Sequence, residues 1–258
     1  MLHATQPDLE PTARFSGRVL DYIRFRPSYP QAVIDVLRDH AEFSSHAVVA
    51  DIGSGTGISA ELFLGCGNTV YGVEPNPQMR AAAEALLSAY GAFHSVAGTA
   101  EQTNLPDASV DYIVSCQAFH WFDRAKAQAE FRRVARSNAW FVVMWNERQL
   151  DATPFLRDYE QLLQRFGTDY GAVKDRYPST DEMQTCFSEQ FHHFTLPNEQ
   201  SFDFAGLRGR LLSSSYVPAE DDPRAGAMLA ELERIFNTRQ ENGRVTVLYD
   251  TLLYFGRI

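Results

Sequence analysis

The stretch from Val48 to Glu74 constrains this chain more than any other. An apolar run, Val48-Val49-Ala50, leads into Asp51-Ile52-Gly53-Ser54-Gly55-Thr56-Gly57, and a helix-compatible segment follows from Ile58 to Leu64. A second β-prone run, Thr69 to Val73, is closed by Glu74. Strand, glycine turn, helix, strand and terminal acid together make a βαβ unit of the nucleotide-binding kind. The glycines let the backbone turn tightly and come closer to a ligand than a Cβ would permit. Glu74 lies 21 positions after Gly53, where a carboxylate can accept hydrogen bonds from both hydroxyls of a ribose.

Two ligands share this plan, a nicotinamide dinucleotide and S-adenosylmethionine (SAM), and spacing separates them. The dinucleotide fingerprint needs its third glycine three positions after the second. That place is Ile58, whereas Gly57 comes two positions after Gly55. A pyrophosphate also prefers a helix N-terminus clear of negative charge, while Asp51 suits the ammonium end of a methionine. The turn reads as a cradle for an adenosyl amino acid.

The remaining text supports small-molecule chemistry. A chain of 258 residues can bury a full core as one large domain with an inserted cap. A net charge of −10 and a pI near 5.2 argue against a nucleic-acid partner, which usually needs a basic footprint. No stretch is long and apolar enough to span a bilayer, and Met1 to Glu10 has no leader pattern, so no membrane partner and a cytoplasmic location are expected. Cys66, Cys116 and Cys186 are odd in number and lack metal-ligand spacing. They read as reduced packing thiols, and no metal is expected.

Along the chain, Phe15, Val19, Tyr22 and Ile23 recur at helical spacing before Arg24-Phe25-Arg26-Pro27-Ser28-Tyr29-Pro30, where the prolines impose an extended turn. This suits a lid carrying Tyr22, Arg26 and Tyr29, or equally a helix packed on the sheet. Pro75-Asn76-Pro77 turns into an alanine-rich helix whose Met79 could lie under an adenine. A third strand ends in Thr99-Ala100-Glu101, and a fourth, Val110 to Ser115, runs out at Gln117, Phe119, His120 and Trp121. A fifth, Trp140 to Trp145, ends in Asn146. Ligands of open α/β sheets sit beyond the carboxyl ends of the strands, so Gly53, Glu74, Glu101, Gln117, His120 and Asn146 should converge.

The glycine motif, Glu74, Ala100-Glu101, Leu105-Pro106 and the run Gln117 to Asp123 resemble, in that order, the class I SAM-dependent methyltransferases, in the branch related to trans-aconitate methyltransferase. The likeness extends to Arg26-Pro27-Ser28-Tyr29-Pro30 and to Tyr249-Asp250-Thr251. One departure is Arg136-Ser137-Asn138-Ala139-Trp140 in place of the family's Pro-Gly-Gly turn. The resemblance implies a Rossmann-like α/β fold with seven strands, mostly parallel, an antiparallel last strand, helices on both faces, an N-terminal lid helix and a helical cap after strand five. The divisions expected are 1–45 for the lid, 46–148 for the SAM-binding core, 149–190 for the cap and 191–258 for completion of the sheet.

The implied donor is SAM, with S-adenosylhomocysteine as product. Its expected contacts are Tyr22, Arg26, Asp51, Gly53, Ser54, Gly55, Gly57, Glu74, Pro75, Met79, Thr99, Ala100, Glu101, Gln117, Phe119 and His120. The expected acceptor is a small molecule with an oxygen, nitrogen or carboxylate nucleophile, met by Tyr29, Trp121, Asn146, Tyr170, Arg176, Tyr177 and Tyr216. His120 is the candidate base, or else a residue that shapes the pocket. Alternatives in the same pocket are closure of the donor's own side chain to azetidine-2-carboxylate with release of methylthioadenosine, and SAM binding without turnover.

Overall fold

A computed structural model describes residues 24–171, 183–184, 186–187 and 191–258. Tyr22, Arg176 and Tyr177 fall outside the described residues, as does most of the expected lid.

Seven strands form one sheet in the order β3-β2-β1-β4-β5-β7-β6. The strands are β1 (Val48–Ile52), β2 (Thr69–Val73), β3 (Phe93–Val96), β4 (Val110–Cys116), β5 (Ala135–Arg148), β6 (His192–Phe202) and β7 (Val245–Arg257). β1 to β5 pair in parallel, and β7 runs antiparallel to both β5 and β6. The expected mixed Rossmann-like sheet is therefore what forms. Fully apolar strand text is the sign of a sheet covered on both faces, and side chains alternate accordingly. Tyr112, Val114, Cys116, Trp140, Val142 and Met144 join one core cluster, with helices α1 (Ala32–Ala41) and α2 (Ile58–Leu64). Ile113, Phe141, Val143 and Trp145 face the other cluster, and there Ala127, Phe131 and Val134 of α4 (Arg124–Val134) cover them. Between these elements α3 (Pro77–Leu86) follows β2.

The helices start where side chains can satisfy their first N–H groups. Asn76 Oδ1 accepts from Gln78 N (2.9 Å) and Met79 N (3.3 Å), with Pro77 at the first helical position. Asp123 caps α4 in the same manner, Thr153 caps α5 (Pro154–Phe166), and Asp203 caps α6 (Phe204–Leu212).

A third core cluster lies beyond the strand ends. Leu156, Leu162 and Leu163 of α5 pack with Leu207 and Leu211 of α6, with Met228 and Leu232 of α7 (Ala225–Arg239), and with Phe202, Val247 and Tyr249 of the β6/β7 pair. The helical layer is thus built from helices on both sides of β6, because antiparallel β7 carries its first residues, Val245 to Leu248, out beyond the carboxyl end of β5. Tyr249 pairs with Arg148, at the very end of that strand.

Candidate active site

The glycine turn is shaped by what surrounds it. Gly53 has φ +73°, and a Cβ there would sit 2.5 Å from the Ala118 Cβ. Only glycine lets the loop after β4 come this close. At Gly55 a Cβ would meet nothing within 4 Å, which places its open side toward the cleft. Gly57 departs from the expected role as a contact. Its added Cβ would strike Leu87 Cδ1 at 2.5 Å, so this glycine serves the packing of α2 against the end of α3.

Three adjoining cavities gather at the carboxyl ends of β1, β2, β4 and β5. The largest, about 280 Å³, is lined by Gly53, Gly55, Glu74, Pro75, Met79, Thr99, Ala100, Glu101, Gln117 and Trp121, all expected from sequence. Asn76, Cys116, Ala118 and Phe122 complete the wall. Of these, Asn76 reads in sequence as a turn residue and Cys116 as a packing thiol or a strand-end contact, while Ala118 and Phe122 lie within the run Gln117 to Asp123 without being singled out as contacts. A second pocket, about 50 Å³, includes Arg26, Tyr29, Ser54, Gly55, Ser59 and Arg210. A third, about 90 Å³, includes Arg26, Asn146, Arg148, Tyr170, Arg210, Tyr216 and Tyr249. Gln117 lines all three. It holds φ +58°, uncommon for a residue with a Cβ, while its N–H still donates to Met144 O at 3.0 Å.

Glu74 is held at both carboxylate oxygens. Gly55 N donates to Oε2 at 3.0 Å, and Asn76 N donates to Oε1 at 2.8 Å. Burial raises its pKa above the ordinary range, against these two bonds and the Arg80 charge. Each oxygen keeps a second lone pair that can accept from a diol. Asp51 lies behind the loop, fully buried. Ser59 Oγ donates to its Oδ2 at 2.6 Å, and Oδ1 has no hydrogen-bond partner among the described residues. Burial, helped by the Glu74 charge, pushes its pKa up to about 7. An unpaired buried carboxylate oxygen at this point fits a cationic group, and the set as a whole fits SAM: a diol acceptor at Glu74, apolar walls from Pro75, Met79 and Ala100, and an acid near the glycine turn. Glu101 departs in part from its expected role, since its Oε1 accepts from Asp123 N at 2.9 Å and so helps start α4.

The segment after β4 also differs from expectation. Phe119–Trp121 forms one 3-10 turn, in which successive side chains leave in three directions. Trp121 reaches the large cavity, whereas Phe119 is 1% exposed and packs against Phe122 and Phe141 in the core. His120 lies against Trp121, with ring centroids 4.7 Å apart, and is not among the residues lining the three cavities. Asn146 lines two pockets, but its side chain already bridges Ser28, Asn198 and Thr251. It braces the Arg26–Tyr29 segment against β6 and β7.

A methyltransferase domain family matches residues 50–143. An uncharacterized methyltransferase of Mycobacterium tuberculosis is 35% identical over 176 residues, covering 68% of each chain. An uncharacterized methyltransferase-like protein of Schizosaccharomyces pombe is 25% identical over 267 residues, covering 97% of this chain and 96% of its own. Among solved structures, a candidate type II methyltransferase from Anaeromyxobacter dehalogenans superposes with a TM-score of 0.67 at 25% identity, covering 90% of this chain and 98% of its own.

Proposed function

The chain belongs to the class I SAM-dependent methyltransferases, and from that premise we propose that it methylates a small molecule received in the polar pockets beside Gln117. The carrying observation is Glu74 at the end of β2, its two oxygens oriented by backbone N–H groups at the wall of the large cleft. Glu74 holds the ribose, Pro75, Met79 and Ala100 enclose the adenine, Arg26 receives the carboxylate of the methionine end, and Asp51, behind the glycine turn, supplies the negative charge that favours its ammonium. SAM supplies an activated methyl group on a sulfonium, so the protein's task is alignment, exclusion of water and management of one proton. Alignment alone contributes up to about 7–11 kcal/mol in favourable cases.

The acceptor lies on the far side of Gln117, between Tyr216, Tyr170 and Asn146. Where the acceptor atom is a hydroxyl or an amine, a hydrogen bond to Tyr216 Oη helps aim its lone pair at the methyl group, and Tyr216→Phe should lower kcat with SAM affinity unchanged.

The deciding experiment incubates the protein with SAM, alone and with a metabolite extract, and follows products by mass spectrometry. Extract-dependent S-adenosylhomocysteine supports methyl transfer. Methylthioadenosine formed without any extract would overturn it.

A further inference from the structure

We propose that the pocket around Arg210 is the seat of a carboxylate carried by the methyl acceptor, an anchor separate from the atom that is methylated. The proposal rests on the methyltransferase reading and deepens it. A guanidinium taken out of water is costly unless a carboxylate or a full set of acceptors answers it. Arg210 is 6% exposed, and its hydrogen bonds go to neutral groups, Nε to Tyr249 Oη at 3.1 Å and Nη1 to Ser214 Oγ at 3.0 Å. No described carboxylate forms an ion pair with it. Arg148, on the same pocket wall, shows the contrast, because it is paired with Glu160 and also reaches Tyr170 Oη at 3.0 Å. Among the described residues lining the pocket the one acid, Glu147, is exposed. No described acid therefore answers this buried positive charge.

The geometry selects the ligand's chemistry. A planar guanidinium presents paired N–H groups that match a carboxylate in bidentate fashion. At about 90 Å³ the pocket has room for such a head group and a short carbon chain. Tyr216 and Tyr249 add phenolic groups beside it. Gln117 is common to this pocket and to the cleft that fits the donor, so the other end of a bound acid reaches toward the methyl group. Arg210 also touches the small pocket behind the glycine turn. A rival assignment follows from that contact, in which Arg210 serves the methionine carboxylate of the donor and not the acceptor.

The test uses the whole chain. Its affinity for S-adenosylhomocysteine is first measured by calorimetry, and failure there counts against the methyltransferase reading alone. The protein, saturated with that nucleoside where it binds, is then titrated with small mono-, di- and tricarboxylic acids and with their primary amides, following the thermal midpoint. At least one acid is expected to raise the midpoint while its amide does not. Arg210→Gln should weaken that acid about thirtyfold or more, with Arg210→Lys intermediate, because the charge remains but the fork is lost. Both variants should keep the nucleoside's affinity within about twofold of the parent, a difference of only about 0.4 kcal/mol. The proposal fails if no acid binds at millimolar concentration, if amides bind equally, or if Arg210→Lys binds acid no better than Arg210→Gln. Equal loss of nucleoside and acid affinity would assign Arg210 to the donor and also overturn it.

Discussion

Burial pushes the Glu74 carboxyl above its ordinary range, and the N–H groups of Gly55 and Asn76 pull the other way. The same bonds that orient the carboxylate for a diol thus oppose that rise. In Glu74→Gln an amide NH₂ must face one of those donors, and an acceptor for the ribose is lost. At about 1.5–3 kcal/mol for a charge-assisted hydrogen bond, SAM affinity measured by calorimetry should fall about ten- to hundredfold; unchanged affinity would remove Glu74 from the site. Asp51 gives a pH signature. Its folded-state pKa, raised to about 7 from 3.8, means that the folded protein binds this proton more tightly than the unfolded chain. Stability from this group is therefore full below the unfolded value and is lost as pH rises toward 7, by an amount on the order of a few kcal/mol. Asp51→Asn should flatten that fall, so the denaturant midpoints of variant and parent should diverge in the variant's favour as pH rises from about 4 to about 7. Parallel curves would show that burial costs Asp51 nothing. A methionine ammonium beside Asp51 would restore its charge, so SAM binding near pH 6 should release a proton, visible as a buffer-dependent heat.

Elements bring these residues together through a few tight contacts. Gly209, within α6, faces Phe25, and a Cβ there would fall 2.0 Å from the ring. Phe25 precedes Arg26, whose Nη2 donates to Ser213 O at 3.0 Å just beyond α6. A methyl group at Gly209 must therefore push away the segment that carries Arg26 and Tyr29. Gly209→Ala should cost about 1–3 kcal/mol by overpacking and should also weaken SAM binding. Gly226, in α7, makes the control, because its Cβ would meet nothing within 4 Å. Gly226→Ala should raise stability by about 0.5–1 kcal/mol through helix propensity, with binding unaffected. If both variants behave alike in chemical denaturation, the close approach at Phe25 is not what holds the segment.

At the scale of the molecule, the groups assigned to ligands lie at one end of the sheet, where open α/β folds place them. A recess at the opposite end, lined by Glu42, Asp111, Tyr112 and Trp140, has no part in the proposed reaction. Hydrogen exchange should report this polarity. Added SAM should slow exchange around 53–57, 74–79 and 117–122 and leave 137–140 unchanged; protection at the far end would place the ligand elsewhere. Among the described residues no helix is long and apolar enough to cross a membrane.

The amino-acid order alone determined the βαβ unit, the strand ends and most of the large cleft. Gly53, Glu74 and Glu101 each sit one turn or one residue beyond a strand, and local periodicity locates such places. It could not tell that Phe119 is buried in the core and that Trp121, but not His120, lines the large cavity, since a 3-10 turn sends neighbours in different directions. Nor could it find Arg210, which lies far from every motif and reads as one charge on an ordinary helix. Only the tertiary structure brings it in, because antiparallel β7 extends past β5, α6 packs on that extension, and an arginine of α6 comes to line a pocket shared with Gln117, with no described acid paired to it.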